Sequence, residues 1–581
     1  FVWNQNETGG SASAFAMRGG MVAPFYPERS GGQRLAEVIL YQRVLTEEER
    51  RDTEAYLSHK WFNKVLPGYA APQLNTVQVN GWNTVRNAGS QEVQADVLTV
   101  AQTATLNVPS GTSLIARNAG VAGDVYLSGG SLQLSAHQTP LAPAPDAALH
   151  LDATTNVTLN GSEVARWDDA SGGSHYAFSY SGFGPSVTAN ALNGLPVIDF
   201  GAIGSKKFLA WDTNIVIRSL FLVMNLKNSM SAPLGTYLPL FGVRSHFTRL
   251  GTPFVWNPTG QPNVRTGDCY LNGLRINPGM YPVTLNSFSL LGQVLEGSSI
   301  ANSFACEAYL YTDPENRANR TGGLQLAEVI LYTRKLSERE SMDTQAYLNW
   351  KWFGALSAGY AEPGGTVTLP SVTTSAAGGA LHVDGAAPAT LSSVAGTGPL
   401  TLGSSVPLTL AATDTLTGGL NLTNALVRFP ASQTVASLTA SGQADVSVAS
   451  GATLTVDTLS GSGTLVCAGD GVTALNAVAG FDGDLTLSGG TLAVTDGMPP
   501  DIGTLTVTGS GSLRLDSDGA DVSAGIYTLI LFSSIDAAST DALLTNWTLS
   551  GVPDHFKSVL QIKDNQVVAV LSAQGTLLSI Q

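Results

Sequence analysis

The sequence predicts an all-β chain in which strand-rich modules, each closed by a short helix, alternate with parallel β-helix or solenoid stretches. Three observations predict it. A 39-residue segment occurs twice without a gap, at 31–69 and 322–360. Between 364 and 530, short alternating segments with Gly, Ser, Asn or Asp corners recur almost without interruption. Charged residues make up only 13% of the chain against 43% hydrophobic, about half the usual charged share. That balance suits stacked strands whose outer faces carry Thr, Ser and Asn.

The long repeat reads GGQRLAEVILYQRVLTEEERRDTEAYLSHKWFNKVLPGY in its first copy and GGLQLAEVILYTRKLSERESMDTQAYLNWKWFGALSAGY in its second. LAEVILY is a strand, being aliphatic and β-branched with an aromatic end. A helix follows, because Thr46 with Glu49 and Ser337 with Glu340 form S/T-x-x-E capping boxes. Acidic residues fill its first turn, where the helix dipole favours them. Tyr56, Leu57 and Trp61, like Tyr347, Leu348 and Trp352, fall at helical spacing and are expected to pin the helix to a sheet. Glu37 and Glu328 stand alone in their strands.

A shorter pair, GDVYLSGGSLQLSA (123–136) and GDLTLSGGTLAVTD (483–496), reads in isolation as a hairpin about a Gly-Gly turn. Its neighbours change that reading. PLTLGS, GLNLTN, ADVSVAS, ATLTVDT, GTLVCAG and GSLRLDS each offer two or three inward aliphatic residues. Such rungs cannot bury an apolar face alone, and stacking supplies the missing core. A parallel β-helix is therefore expected, with a series of small β-sandwiches as the alternative. GIYTLILFSS (525–534) and the paired segments after it suit a terminal cap.

From 146 to 363 the motifs ALHLDATTNVTLNGSEVARWDDASGG (148–173), LNGLPVIDFG (192–201), FLVMNL (221–226), PLFGVRSHFTRLG (239–251) and YLNG (270–273) occur in order before the strand-plus-helix repeat. In this the chain resembles the LamG-like jelly-roll modules of the concanavalin A-like lectin/glucanase superfamily, found in large exported bacterial proteins. Residues 364–581 resemble the passenger β-helices of autotransporter-like adhesins, on rung texture. The resemblance implies two antiparallel sheets face to face, with rim loops that in some members bind glycans or calcium. The expected organisation is 1–73, the C-terminal part of one β-sandwich; 74–140, a short solenoid or β-rich connector; 141–363, a complete sandwich; 364–524, a solenoid; and 525–581, a cap. Since the chain opens at Phe1 inside a module, it is read as a fragment of a longer protein at the bacterial cell surface.

Composition excludes several classes. Net charge is −15 and no basic cluster exists, so nucleic acid is not an expected partner. No apolar run approaches the length of a membrane helix. The expected partners are extracellular glycans, and neighbouring copies or upstream modules of the same protein. There are three cysteines and no CxxC. Cys269 and Cys306 share a module and are the candidate disulfide pair, although the first copy carries Met17 where the second has Cys306. Cys467 is expected to be a buried small hydrophobe.

No catalytic residue is assigned. A glucanase on this fold needs paired carboxylates on one strand face, and no E-x-D-x-x-E run exists. The seven histidines are scattered and form no HExxH. Asp168 and Asp169 are adjacent, so a strand would point them to opposite faces. In WDDASGG they read as a turn bonding its own backbone. With Asp152 they are also the candidate calcium ligands, the one cofactor the sequence suggests. For a glycan, Trp211 with Asp212 and Asn214 is the candidate aromatic and polar set. Tyr176 and Tyr180, alternating with Phe178, form a second one if their shared face is exposed and core if it is buried.

Overall fold

The computed structural model describes residues 74–79, 82–84, 92–121, 123–202, 204–227, 237–238, 248–249, 267–276, 286–304, 322–413, 415–517 and 522–574, with scattered positions between 39 and 58. The first copy of the long repeat thus lies almost wholly outside the described residues, as does Cys306.

The parallel solenoid is present. Leu400, Leu420, Leu438, Leu459 and Val478 fall in register on successive strands of one sheet. On a second face Leu408, Val427, Val446, Cys467, Leu487 and Val507 do the same. These ladders point inward to one continuous apolar core. Cys467 is one of its rungs, and burial pushes its thiol up to about 12. Corners are tight enough to demand glycine. A Cβ on Gly483 would lie 1.9 Å from the carbonyl oxygen of Gly463, and one on Gly463 would lie 2.2 Å from that of Gly442. Neither short repeat is a hairpin. Asp124–Ser128 and Ser131–Gln138 lie in different sheets, as do Asp484–Leu487 and Gly490–Thr495. Their Gly-Gly pairs are corners between faces.

The stretches before and after the inserted module are one stack. Ser131–Ala136 pairs in parallel with Ala380–Gly385, and Asp124–Leu127 with Ser371–Thr374. One eleven-stranded sheet runs from Leu74–Val79 through both. The expected alternation of separate segments is therefore replaced, over the described residues, by an unbroken solenoid from which roughly residues 140–360 loop out at a corner. The loop leaves and returns at one place: Thr139 N donates to Ala361 O at 2.9 Å and His137 N to Gly359 O at 2.8 Å. At the far end, Gly525–Ile535 still extends the stack in parallel but also pairs antiparallel with Gln566–Ala573. That strand forms a hairpin with Phe556–Lys563 about Asp564 and Asn565, both at positive φ, as a two-residue type I′ turn requires.

The inserted module is antiparallel. Its longest strand, Leu209–Leu226, begins beside Tyr176–Phe178 and ends beside Leu324–Tyr332. The sheet so curls back on itself around a core that holds Trp167, Phe221 and Trp352. The helix expected after LAEVILY spans Glu338–Phe353, with Ser337 as N-cap, the capping box complete, and Gly354 left-handed at its end. Arg334 adds two hydrogen bonds to the Glu340 carboxylate, at 3.0 and 2.7 Å.

Candidate functional site

The chemistry of the module concentrates where its first strand, its last strand and its helix meet. His150 and Asp152 alternate on Leu149–Asp152 and so share a face. Asp152 lies directly opposite Glu328 on Leu324–Tyr332. Two carboxylates in that register repel unless something intervenes. The helix supplies it: Lys351, in the last turn where the dipole favours a cation, places Nζ 2.6 Å from Asp152 Oδ2 and 2.6 Å from Glu328 Oε2.

Glu328 is fully buried, and all its acceptor sites are used. Oε1 takes Tyr347 OH at 3.0 Å and lies 2.7 Å from His150 Nε2. Oε2 takes the Trp352 indole N–H at 2.6 Å as well as Lys351. Burying a carboxylate is expensive unless it is paired and hydrogen-bonded, and here both conditions hold. Lys351 spends its third N–H on Tyr347 OH at 3.0 Å. Burial, and then the Glu328 charge, hold the Tyr347 phenol well above its ordinary value. Asp152 is completed by Thr154, whose N and Oγ1 both donate to Oδ1, at 2.9 and 2.8 Å. Trp167 Nε1 donates to the Asp152 carbonyl at 3.0 Å and closes the floor.

Among the described residues, His150, Asp152 and Glu328 form the one group whose ligand atoms crowd as a metal site would. Lys351 already bridges the two carboxylates, so the charge a cation would bring is supplied by the chain. The expected calcium set does not assemble. Asp168 turns outward to Arg166 at 2.5 Å. Asp169 turns inward, where Oδ1 accepts from His150 N at 2.8 Å and Ser171 N at 2.9 Å, and Oδ2 from Ser171 Oγ. That is the local backbone role read from WDDASGG.

The glycan candidates divide. Trp211 is 6% exposed and packs in the module core. It sits in a strand instead of a loop, and alternation puts Asp212 outside. Asn214 is exposed nearby. Asp212 ties down the neighbouring strand, with Oδ2 3.0 Å from His175 Nδ1 and Oδ1 accepting from Tyr176 N at 3.3 Å. Ala177 faces the core, so Tyr176, Phe178 and Tyr180 lie on the outer side, where Tyr180 is 44% exposed. Their ring centroids are 6.0 and 5.9 Å apart, and the Arg166 guanidinium covers Tyr176 at 3.8 Å. Phe178 packs with Phe183 on the buried Phe208 and Ala210 of a small second core, so Tyr176 and Tyr180 are the partly exposed edge of that cluster.

Cys269 is buried; its candidate partner lies outside the described residues. Sequence reasoning missed the buried cluster, because Glu328 looked isolated in its strand and His150 looked scattered. The signal was in the repeat: Glu328, Tyr347, Lys351 and Trp352 recur as Glu37, Tyr56, Lys60 and Trp61. Compared with protein-family models, with curated proteins and with solved structures, the chain matches none.

Proposed function

We propose that this chain is a non-catalytic structural or adhesive part of an exported bacterial surface protein: a solenoid stalk that presents a LamG-like, concanavalin A-like module. One observation carries the reading. The stack runs unbroken beneath the module, through the pairing of Ser131–Ala136 with Ala380–Gly385, so the module is an appendage on a rod. The buried cluster supports it from the other side. A glycosidase needs two carboxylates about 5–9 Å apart across a substrate bond. Asp152 and Glu328 are instead neighbours across a strand pair, joined by one ammonium and buried. Electron microscopy of the native material tests the proposal. It predicts elongated particles with a lateral bulge and no hydrolysis of β-glucans; compact globules or turnover would overturn it.

A second reading is glycan binding by the module, favoured by Tyr180 and Tyr176 at the exposed edge of the Phe178–Phe208 cluster, with Arg166 and Asp212 beside them. Aromatic faces edged by polar groups suit sugar rings, which present C–H faces and hydroxyl rims. A glycan array run with and without calcium tests this. Tyr180→Ala is expected to abolish any signal and Asn214→Ala to weaken it. The absence of binding to every glycan removes the reading.

A further inference from the structure

We infer that Lys351 and Asp152 condense to an intramolecular amide, with Glu328 carrying the protons. This goes beyond the stalk reading and does not depend on it.

The reacting groups are already in contact. Lys351 Nζ is 2.6 Å from Asp152 Oδ2 and 2.6 Å from Glu328 Oε2. Side-chain exposure is 19% for Lys351, 11% for Asp152 and 0% for Glu328. Holding a nucleophile against the carboxyl group it attacks lowers the entropic barrier to joining them. In water an ammonium and a carboxylate stay ionised and do not react. Only the neutral amine is a nucleophile, so the reaction needs a proton acceptor in contact with the ammonium, and Glu328 Oε2 at 2.6 Å is placed to be that acceptor.

The three groups have distinguishable roles. Both Glu328 oxygens are pinned by donors from His150, Tyr347, Trp352 and Lys351. Neither can leave without stranding a buried donor, so Glu328 is the base. Asp152 is built as the electrophile. Its Oδ1 sits between the N–H and hydroxyl of Thr154, at 2.9 and 2.8 Å, a pair of donors placed where an oxyanion would form. Its Oδ2 touches Lys351 and is the leaving oxygen.

The step balances. Glu328 takes a proton from the Lys351 ammonium and passes it to Asp152 Oδ2, and the free amine then attacks Cγ of the neutral acid. The N–C bond forms as charge develops on Oδ1 against Thr154. Glu328 then moves the second proton from nitrogen to Oδ2, the C–Oδ2 bond breaks, and Oδ2 departs as water. Its two protons are the two that the ammonium loses, relayed by Glu328, which ends as a carboxylate. No oxidant or cofactor enters. The product ties the first strand of the module to the last turn of its helix, so tension applied at the module's neighbouring ends cannot peel them apart.

Mass spectrometry of the folded full chain tests this. The expected result is an intact mass lower than the sequence mass by one water, with a proteolytic fragment joining the Asp152 and Lys351 peptides. Lys351→Arg and Glu328→Gln are each expected to restore the full mass, and Thr154→Ala to leave a fraction unlinked. Full mass in folded wild-type protein with no joined peptide overturns the inference. A link from Lys351 to any residue other than Asp152 overturns the assignment. Should the variants fail to fold, the wild-type peptide map decides alone.

Discussion

The solenoid and the module it carries solve burial in opposite ways. The solenoid core is apolar and mostly aliphatic, and its buried polar groups are neutral, such as Thr413, Gln433 and Thr473. Each rung repeats its neighbour, so stability is spread along the stack. The module buries a glutamate completely and compensates it with a histidine from its first strand and a lysine, a tyrosine and a tryptophan from its helix. A ladder of leucines tolerates slippage by a whole rung. A four-donor carboxylate tolerates none, so the cluster specifies how strand and helix meet.

The largest effect should come from putting a charge into the ladder. Leu465, fully buried between Ala444 and Leu485, changed to Asp should cost about 4 kcal/mol or more. Hydrogen exchange would show protection lost over neighbouring rungs while Leu324–Tyr332 keeps its own. Loss of protection in both regions would merge what the comparison separates. In the module, Lys351→Met removes the inferred link to Asp152 as well as the cation between two opposed buried carboxylates, and should cost about 3–5 kcal/mol or more, read by chemical denaturation. Adding Glu328→Gln should recover part of that loss, since the two positions are coupled.

The joint between the two regions is expected to be acid-sensitive. His137 stacks on Tyr360 at 5.4 Å. Burial, and then the Arg339 charge, pull it from 6.5 down to about 4. The unfolded chain therefore binds a proton that the folded joint refuses. Stability falls as pH drops from 6.5 to about 4, and His137→Phe should flatten a melting-temperature profile over that window. The capping box is worth less. Its bonds to Arg334 first, then Ser337, lower Glu340 to about 2, so its contribution is present above the ordinary glutamate range and disappears as pH falls toward 2. At neutral pH, Glu340→Gln should cost under about 1 kcal/mol, because the site is open to solvent. The smallest effect is that of a chelator. With Lys351 bridging Asp152 and Glu328, the module's melting temperature should not move on adding EDTA or calcium.

How much was legible follows the range of the contacts. The capping box at Ser337, the LAEVILY strand and the rung ladders are local patterns, readable from spacing. The outward turn of Tyr176 and Tyr180 hinged on which face of a strand meets a core, and no local residue states that. The Glu328 cluster draws His150 from 178 residues upstream and Asp152, through Lys351, across 199. Only the repeated Glu, Tyr, Lys and Trp hinted at it. The continuity of the stack was least legible, because Gln133 meets Asp384 across 251 residues, and the strands on either side look like any other rungs.

That continuity is the claim on which the account rests, and excision tests it most directly. Deleting residues 141–358 and joining Pro140 to Gly359 through a short glycine–serine linker spans a gap already closed by the bonds of His137 to Gly359 and Thr139 to Ala361. Circular dichroism and thermal denaturation of the product should show a folded β-protein with a cooperative transition. A chain that aggregates or loses its sheet signal would show that the two stretches do not form one stack.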